Sequence, residues 1–155
     1  MNNPSDRAAD LFARGFNCAQ AVFSAFAAQL GLDETAALRL ASPFGGGMAR
    51  RGEVCGAVTG ALMAIGLARG ASTPEGKEPT YLIGQEFMRR FEAQQGALAC
   101  RALIGFDILQ PEDRARARQA GVFQIICPAL VRSAAEITAA MLAEENAVNK
   151  TGSAP

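Results

Sequence analysis

The stretch of residues 43–66, PFGGGMARRGEVCGAVTGALMAIG, decides the fold. Its first half has the composition of a loop, with three consecutive glycines followed by charged residues. From Cys55 onward it is uncharged and rich in small residues, which predicts a buried helix. Gly56, Gly60 and Ala64 recur every four residues and therefore lie on one face of that helix. Such a face lets another helix approach closely, and we assign Gly60 to this packing.

The rest of the chain shows helical periodicity between glycine and proline breaks, and no segment shows a convincing two-residue alternation typical of strands. Alanine is abundant and tryptophan is absent, which also favours closely packed helices over a β-sandwich. A chain of 155 residues forms about one domain. We therefore predict an all-α fold, a single-domain compact bundle of about six to eight helices over residues 1–148, with a disordered polar tail at 149–155. The expected helices cover roughly residues 4–14, 18–30, 34–41, 55–69, 81–95, 97–104, 111–119 and 127–147.

The charge balance argues against a nucleic-acid partner. Fifteen basic residues match fifteen acidic ones, so the formal net charge is zero, and no basic surface for a polyanion is indicated. We interpret Arg114, Arg116 and Arg118 as a solvated helix face beside Glu112 and Asp113.

The N-terminus and the hydropathy pattern indicate a cytoplasmic protein. The first ten residues are polar and acidic, unlike a secretory signal. The longest uncharged stretch, residues 54–68, has fifteen residues, whereas a membrane span needs about 20. We therefore expect a core helix there and no membrane span.

Sulfur is the most obvious reactive group of this chain. Histidine is absent, which excludes Ser-His and Cys-His catalysis. Structural disulfides are rare in the cytosol, so we expect reduced, catalytic or metal-bound cysteines. Each lies in or beside the first turn of a predicted helix, where the helix dipole and free N–H groups favour the thiolate. We expect Cys55 to have the most thiolate character. The four cysteines are Cys18, Cys55, Cys100 and Cys127.

The spacing of the cysteines excludes two common sites and leaves two open. They are separated by 37, 45 and 27 positions, so there is neither a zinc knuckle nor a C-x-x-C redox motif. Widely spaced cysteines fit an iron–sulfur or other metal centre with all four as ligands. They fit equally well one or two dithiol–disulfide pairs that folding brings together.

The glycines before and after Cys55 form a second candidate site. Gly45, Gly46 and Gly47 precede a helix start, an arrangement that could bind an anion or a cofactor. Gly56 could open space at the Cys55 sulfur. The alternative for the three consecutive glycines is a plain flexible loop.

These motifs resemble the four-cysteine C-GCAxxG-C-C family, whose members are described as redox-active. The resemblance covers about residues 15–142. It implies a redox role in which all four cysteines are functional residues, and it implies no substrate. The residues that carry it are Asn17-Cys18-Ala19-Gln20, the stretch 43–66, Cys100-Arg101 with Leu103 and Gly105, and Cys127-Pro128.

Three functions follow as hypotheses. The first is a thiol redox or electron-transfer protein with four converging cysteines, such as a thiol-disulfide oxidoreductase acting with a redox partner that the sequence does not identify. The second is a four-cysteine iron–sulfur or metal-binding module without turnover. The third is a structural helical domain with buried, unreactive cysteines. The small-residue helix faces could also support a homodimer.

Overall fold

The computed structural model describes residues 3–152, apart from the side chains of Glu145, Asn149 and Thr151. Within that range the chain is 76% helical and has no strand, which confirms the all-α prediction. Three short 3-10 helices, at Ala28–Leu30, Ser42–Phe44 and Pro74–Gly76, join or extend the α-helices. The eight α-helices are α1 (Pro4–Ala13), α2 (Cys18–Ala27), α3 (Glu34–Ala41), α4 (Gly56–Arg69), α5 (Lys77–Gln95), α6 (Cys100–Ile104), α7 (Pro111–Gln119) and α8 (Val122–Thr151).

Local capping explains where α2 and α3 begin. Asn17 and Gln20 form a capping box, in which each side chain accepts a hydrogen bond from the other residue's backbone N–H. Asp33 accepts a hydrogen bond from the N–H of Ala36 at 3.0 Å and caps α3. Gly31, at φ +81°, ends the turn that follows α2. These starts and stops confirm the sequence prediction.

Helix α2 lies at the centre of the bundle. It packs against α1, α3, α4 and α8, while α5 covers α4 and α8 from another side. Eight of the ten residues of α2 are buried, which explains why it is apolar nearly all round. The largest fully buried apolar side chains of the core are Leu11, Val22, Val58, Ile65, Phe87, Phe91 and Val131.

Two glycines of α4 let it approach α2 closely. A Cβ atom at Gly60 would lie 2.7 Å from the carbonyl oxygen of Ala19, and one at Gly56 would lie 3.0 Å from the Ala19 nitrogen. Both distances are shorter than an ordinary van der Waals contact. The small face predicted for this helix is therefore the α2–α4 interface.

The start of the last helix was predicted wrongly. Helix α8 begins at Val122 and runs to Thr151, whereas the sequence indicated a start at Cys127-Pro128. Pro128 lies inside the helix, where it leaves the Gln124 carbonyl without its usual helical donor. Burial of Val122 explains the earlier start, because the preceding apolar turn packs into the protein as helix. Of the predicted tail, residues 153–155 lie outside the described residues.

Helix α8 also contains the one segment among residues 3–152 that is apolar and long enough to cross a membrane. This segment is Val122–Val148, 27 residues long, and half of its most apolar window is buried inside the protein. Core helices of soluble proteins pass the same test, so the segment is weak evidence for a span.

Substitutions in α4 test the close approach of the two helices. We expect Gly60→Ala to lower the free energy of unfolding by about 1–3 kcal/mol, because the new Cβ atom overlaps the Ala19 carbonyl. Gly66→Ala in the same helix is the matched control, since nothing in the described chain, apart from its chain neighbours and the adjacent backbone of the helix itself, lies within 4 Å of the added Cβ. The control should raise that free energy by roughly 0.5–1 kcal/mol. Urea denaturation measures both, and equal stability of the two variants would contradict the packing assignment.

Candidate functional site

All four cysteines line one cavity of about 510 Å³. Cys18 is the first residue of α2, Cys55 is the residue before α4, and Cys100 is the first residue of α6. These positions confirm the expected helix starts for three cysteines. For Cys127 the expectation was wrong, because it lies within α8, one turn beyond Val122. The fold thus brings the four predicted site residues to one place, although only three stand at helix starts.

Backbone hydrogen bonds tie the Cys55 and Cys100 segments together. The N–H of Cys55 donates to the Leu98 carbonyl at 2.8 Å, and the N–H of Cys100 donates to the Glu53 carbonyl at 2.6 Å. Val54 and Ala99 form an isolated antiparallel β-bridge between them. Two cysteines that are 45 positions apart in sequence therefore have fixed relative positions.

A left-handed turn forms the rim of the cavity. Five consecutive residues, 46–50, have φ between +51° and +67°. Three of them, Met48, Ala49 and Arg50, are not glycine, and this conformation costs roughly 1–2 kcal/mol for each L-residue. The turn is held by bonds from the N–H groups of these three residues to carbonyls of residues 43–45. The glycine-rich loop therefore has a defined, strained conformation of the kind found at functional sites.

The predicted cofactor-binding glycines lie around the cysteines. Gly45, Gly46, Gly47 and Gly56 all line the cavity. A Cβ atom at Gly47 would lie 2.6 Å from the Cys100 Cβ, and one at Gly56 would lie 3.1 Å from the Cys18 Cβ. Two of these glycines therefore make room for cysteine side chains. That all four glycines bind a cofactor stays a prediction.

Gly45 makes room for Asn17. A Cβ atom at Gly45 would lie 2.5 Å from the Asn17 Cγ, and the Asn17 Nδ2 donates to the Ser42 carbonyl at 2.9 Å. Asn17 thus caps α2 and also holds the residues that lead into the glycine-rich turn. This double contact fixes Cys18, its neighbour in sequence, relative to the cavity rim.

Cys18 and Cys127 interact directly, because each changes the pKa of the other. The Cys18 thiol donates a hydrogen bond to the Cys127 sulfur, and this bond lowers the pKa of Cys127 although burial acts in the opposite direction. The same bond, followed by burial and the neighbouring sulfurs, raises the pKa of Cys18 well above its ordinary value. Of the four cysteines, Cys127 is therefore the one that favours the thiolate.

The other two thiols are held in the protonated form. Burial raises the pKa of Cys55 to about 11, although the N–H groups of Ala57 and Val58 lower it. Burial and the nearby sulfurs of Cys55 and Cys127 raise the pKa of Cys100 to about 12. The expectation that Cys55 has the most thiolate character is thus wrong. Its helix start does stabilise the anion, but the loss of water around a side chain only 3% exposed outweighs that effect.

A family model matches residues 16–141 of the chain, which include all four cavity cysteines. The family is C_GCAxxG_C_C, described as “Putative redox-active protein”. The chain belongs to this family. Comparison with curated proteins gives no match, and comparison with solved structures gives none either. Membership of the C_GCAxxG_C_C family supports a redox role without naming a reaction.

Sequence reasoning missed the arginines of this C_GCAxxG_C_C site. Arg50, Arg114 and Arg118 line the cavity, whereas the last two were interpreted as part of a solvated helix face. Arg116 does lie in solvent and pairs with Asp113. The available signal was the four-residue spacing of Arg114 and Arg118, which places them on one face of α7 and Arg116 on another.

The four cysteines are not arranged as metal ligands in the part of the chain that the structure describes. Among residues 3–152, no three side chains of Cys, Asp or Glu come close enough together to hold a metal ion. The four thiols share a cavity, and within that range Cys18 interacts with all three of the other sulfurs, most strongly with Cys127.

Alkylation with iodoacetamide, followed residue by residue with mass spectrometry, tests the order of thiol reactivity. We expect Cys127 to react at lower pH than the other three, because its pKa is the one that is lowered. Cys18→Ala should move the Cys127 profile to higher pH, since it removes the hydrogen-bond donor. Cys18→Ser, which keeps a donor, should restore it. A Cys127 profile that is unchanged by Cys18→Ala would contradict this assignment.

Proposed function

We propose that this protein is a thiol-disulfide oxidoreductase in which Cys18 and Cys127 form a reversible dithiol–disulfide pair. The observation that carries the proposal is that the two cysteines line one cavity and strongly perturb each other's pKa. Thiols placed together in this way can become bonded once their sulfurs approach to about 2 Å. Membership of a family described as redox-active agrees with this chemistry.

The two cysteines have different roles in the proposed exchange. Cys127 loses its proton to solvent, and its thiolate attacks one sulfur of a disulfide R–S–S–R. A bond from Cys127 to R–S forms, the R–S–S–R bond breaks, and the leaving R–S⁻ takes up a proton. Cys18 then gives its proton to the second R–S⁻ while its sulfur attacks Cys127. The protein is oxidised by two electrons, and R–S–S–R is reduced to two thiols.

Cys55 and Cys100 are proposed as lining residues that stay reduced during this cycle. Their pKa values of about 11 and 12 leave very little thiolate at neutral pH. Neither thiol has a cysteine hydrogen-bond partner within residues 3–152. They complete the wall of the cavity next to the reactive pair.

The cytoplasmic location and the homodimer stay predictions.

Mild oxidation followed by thiol titration tests this function. We expect the number of reactive thiols in unfolded protein to fall from four to two, and to return to four after reduction. Peptide mapping should show a single Cys18–Cys127 disulfide. The pair of variants Cys18→Ala and Cys127→Ala should each prevent it, while Cys55→Ser, the matched control, should form it normally.

Two results would sink this proposal. One is a disulfide that joins Cys55 to Cys100 while Cys18 and Cys127 stay reduced. The other is a thiol count that stays at four under conditions that oxidise a free dithiol of ordinary potential.

A further inference from the structure

The reactive thiols lie where a protein partner cannot easily reach them. Cys127 is 7% exposed, and Cys18 is only partly exposed. The cavity that reaches them measures about 510 Å³, within the range of small-molecule sites. The exchange partner of such thiols is thus a small molecule that enters the cavity, rather than a folded protein that docks on its rim.

The charge of the cavity lining is one-sided. Among the described residues, Arg50, Arg114 and Arg118 are its charged residues, and no aspartate or glutamate of that set lines it. The whole chain has a formal net charge of zero, so this local excess of positive charge is not a property of the whole surface. Low-dielectric walls around charges of one sign concentrate ions of the opposite sign.

Two of these arginines have no side-chain partner among the residues that the structure describes. Neither Arg50 nor Arg118 makes a side-chain hydrogen bond or an ion pair to residues 3–152. The Arg114 Nη1 donates to the Ile108 carbonyl at 3.0 Å, which holds this side chain beside the cavity. Arg50 and Arg118 are therefore free to contact a ligand.

The strained turn adds backbone donors to the same wall. Within the described part of the chain, the N–H groups of Gly46 and Gly47 have no hydrogen-bond partner. Gly47 is buried, and buried N–H groups without a partner are rare in proteins. Consecutive N–H groups in left-handed backbone form concave anion-binding sites.

We infer that the cavity binds small anionic disulfides, and that Arg50, Arg118 and the Gly46–Gly47 N–H groups recognise their carboxylate or other acidic groups. This inference rests on the proposed function for the exchange itself. The anion binds near the arginines while the disulfide bond reaches the Cys127 sulfur. The exchange then follows the steps given above, with two molecules of an acidic thiol as the product.

Three small disulfides that differ in the charge of their ends test this substrate class. Dithiodiglycolate is anionic, bis(2-hydroxyethyl) disulfide is neutral and cystamine is cationic. The rate of protein oxidation is measured with each at low ionic strength, because salt screens exposed charges. For each protein we take the ratio of its oxidation rate with the anionic compound to its rate with the neutral compound. We expect this ratio to be about tenfold higher for the wild-type protein than for a double variant.

The double variant Arg50→Gln/Arg118→Gln removes the two free arginines and leaves Arg114 in place. The matched control is Arg39→Gln/Arg51→Gln, which removes two exposed arginines that do not line the cavity. Comparing the ratio of rates for two disulfides in each protein cancels their different intrinsic reactivities. The anion preference should be lost in the first variant and kept in the control.

Thiodiglycolate, a thioether that cannot exchange, separates binding from chemistry. Calorimetry should show that it binds the wild type and the control, and that the Arg50→Gln/Arg118→Gln variant binds it at least about tenfold more weakly. Equal binding by all three proteins, or no binding to the wild type, would overturn the inference about the anion. In that case a reversible Cys18–Cys127 disulfide would still support the proposed function. Arginine-dependent binding without oxidation by any of the three disulfides would support the anion site and refute the dithiol function.

Discussion

The close contact between α2 and α4 is the constraint on which the site depends. Gly56 and Gly60 bring the backbone of α4 against Ala19, and the same approach places Cys55 beside the start of α2. A side chain at either glycine would push the helices apart and separate the first two cysteines. The packing of the core and the geometry of the thiol cavity therefore have one cause, the absence of a side chain at these two positions.

The left-handed turn at residues 46–50 is the second requirement of the site. Its unfavourable backbone conformation persists because its own hydrogen bonds and the contacts with Asn17 and Cys100 over-determine it. The turn brings Arg50 and the N–H groups of Gly46 and Gly47 to the cavity. A relaxed loop of the same length would not present these donors in a fixed arrangement.

Most of the fold and half of the site could be predicted from sequence. The features that were predicted depend on local interactions, whereas those that were missed depend on tertiary burial. The caps at Asn17 and Asp33 depend on local chemistry, so their helices were predicted correctly. The course of α8 through Pro128 depends on tertiary burial of Val122, which no local signal shows. The thiolate character of Cys55 was misjudged because the helix start is visible in sequence and the burial is not. The four-residue spacing of Arg114 and Arg118 places them on one face of α7, but only the tertiary structure shows that this face borders the cavity.

The central claim is that Cys18 and Cys127 form the redox pair, and a crystal structure of the oxidised protein tests it most directly. Crystals of the full chain, oxidised with a small disulfide and checked for loss of two thiols, would show which sulfurs are joined. The account predicts continuous density between the sulfurs of Cys18 and Cys127, with Cys55 and Cys100 still separate. Density that joins any other pair in the oxidised crystal would contradict it.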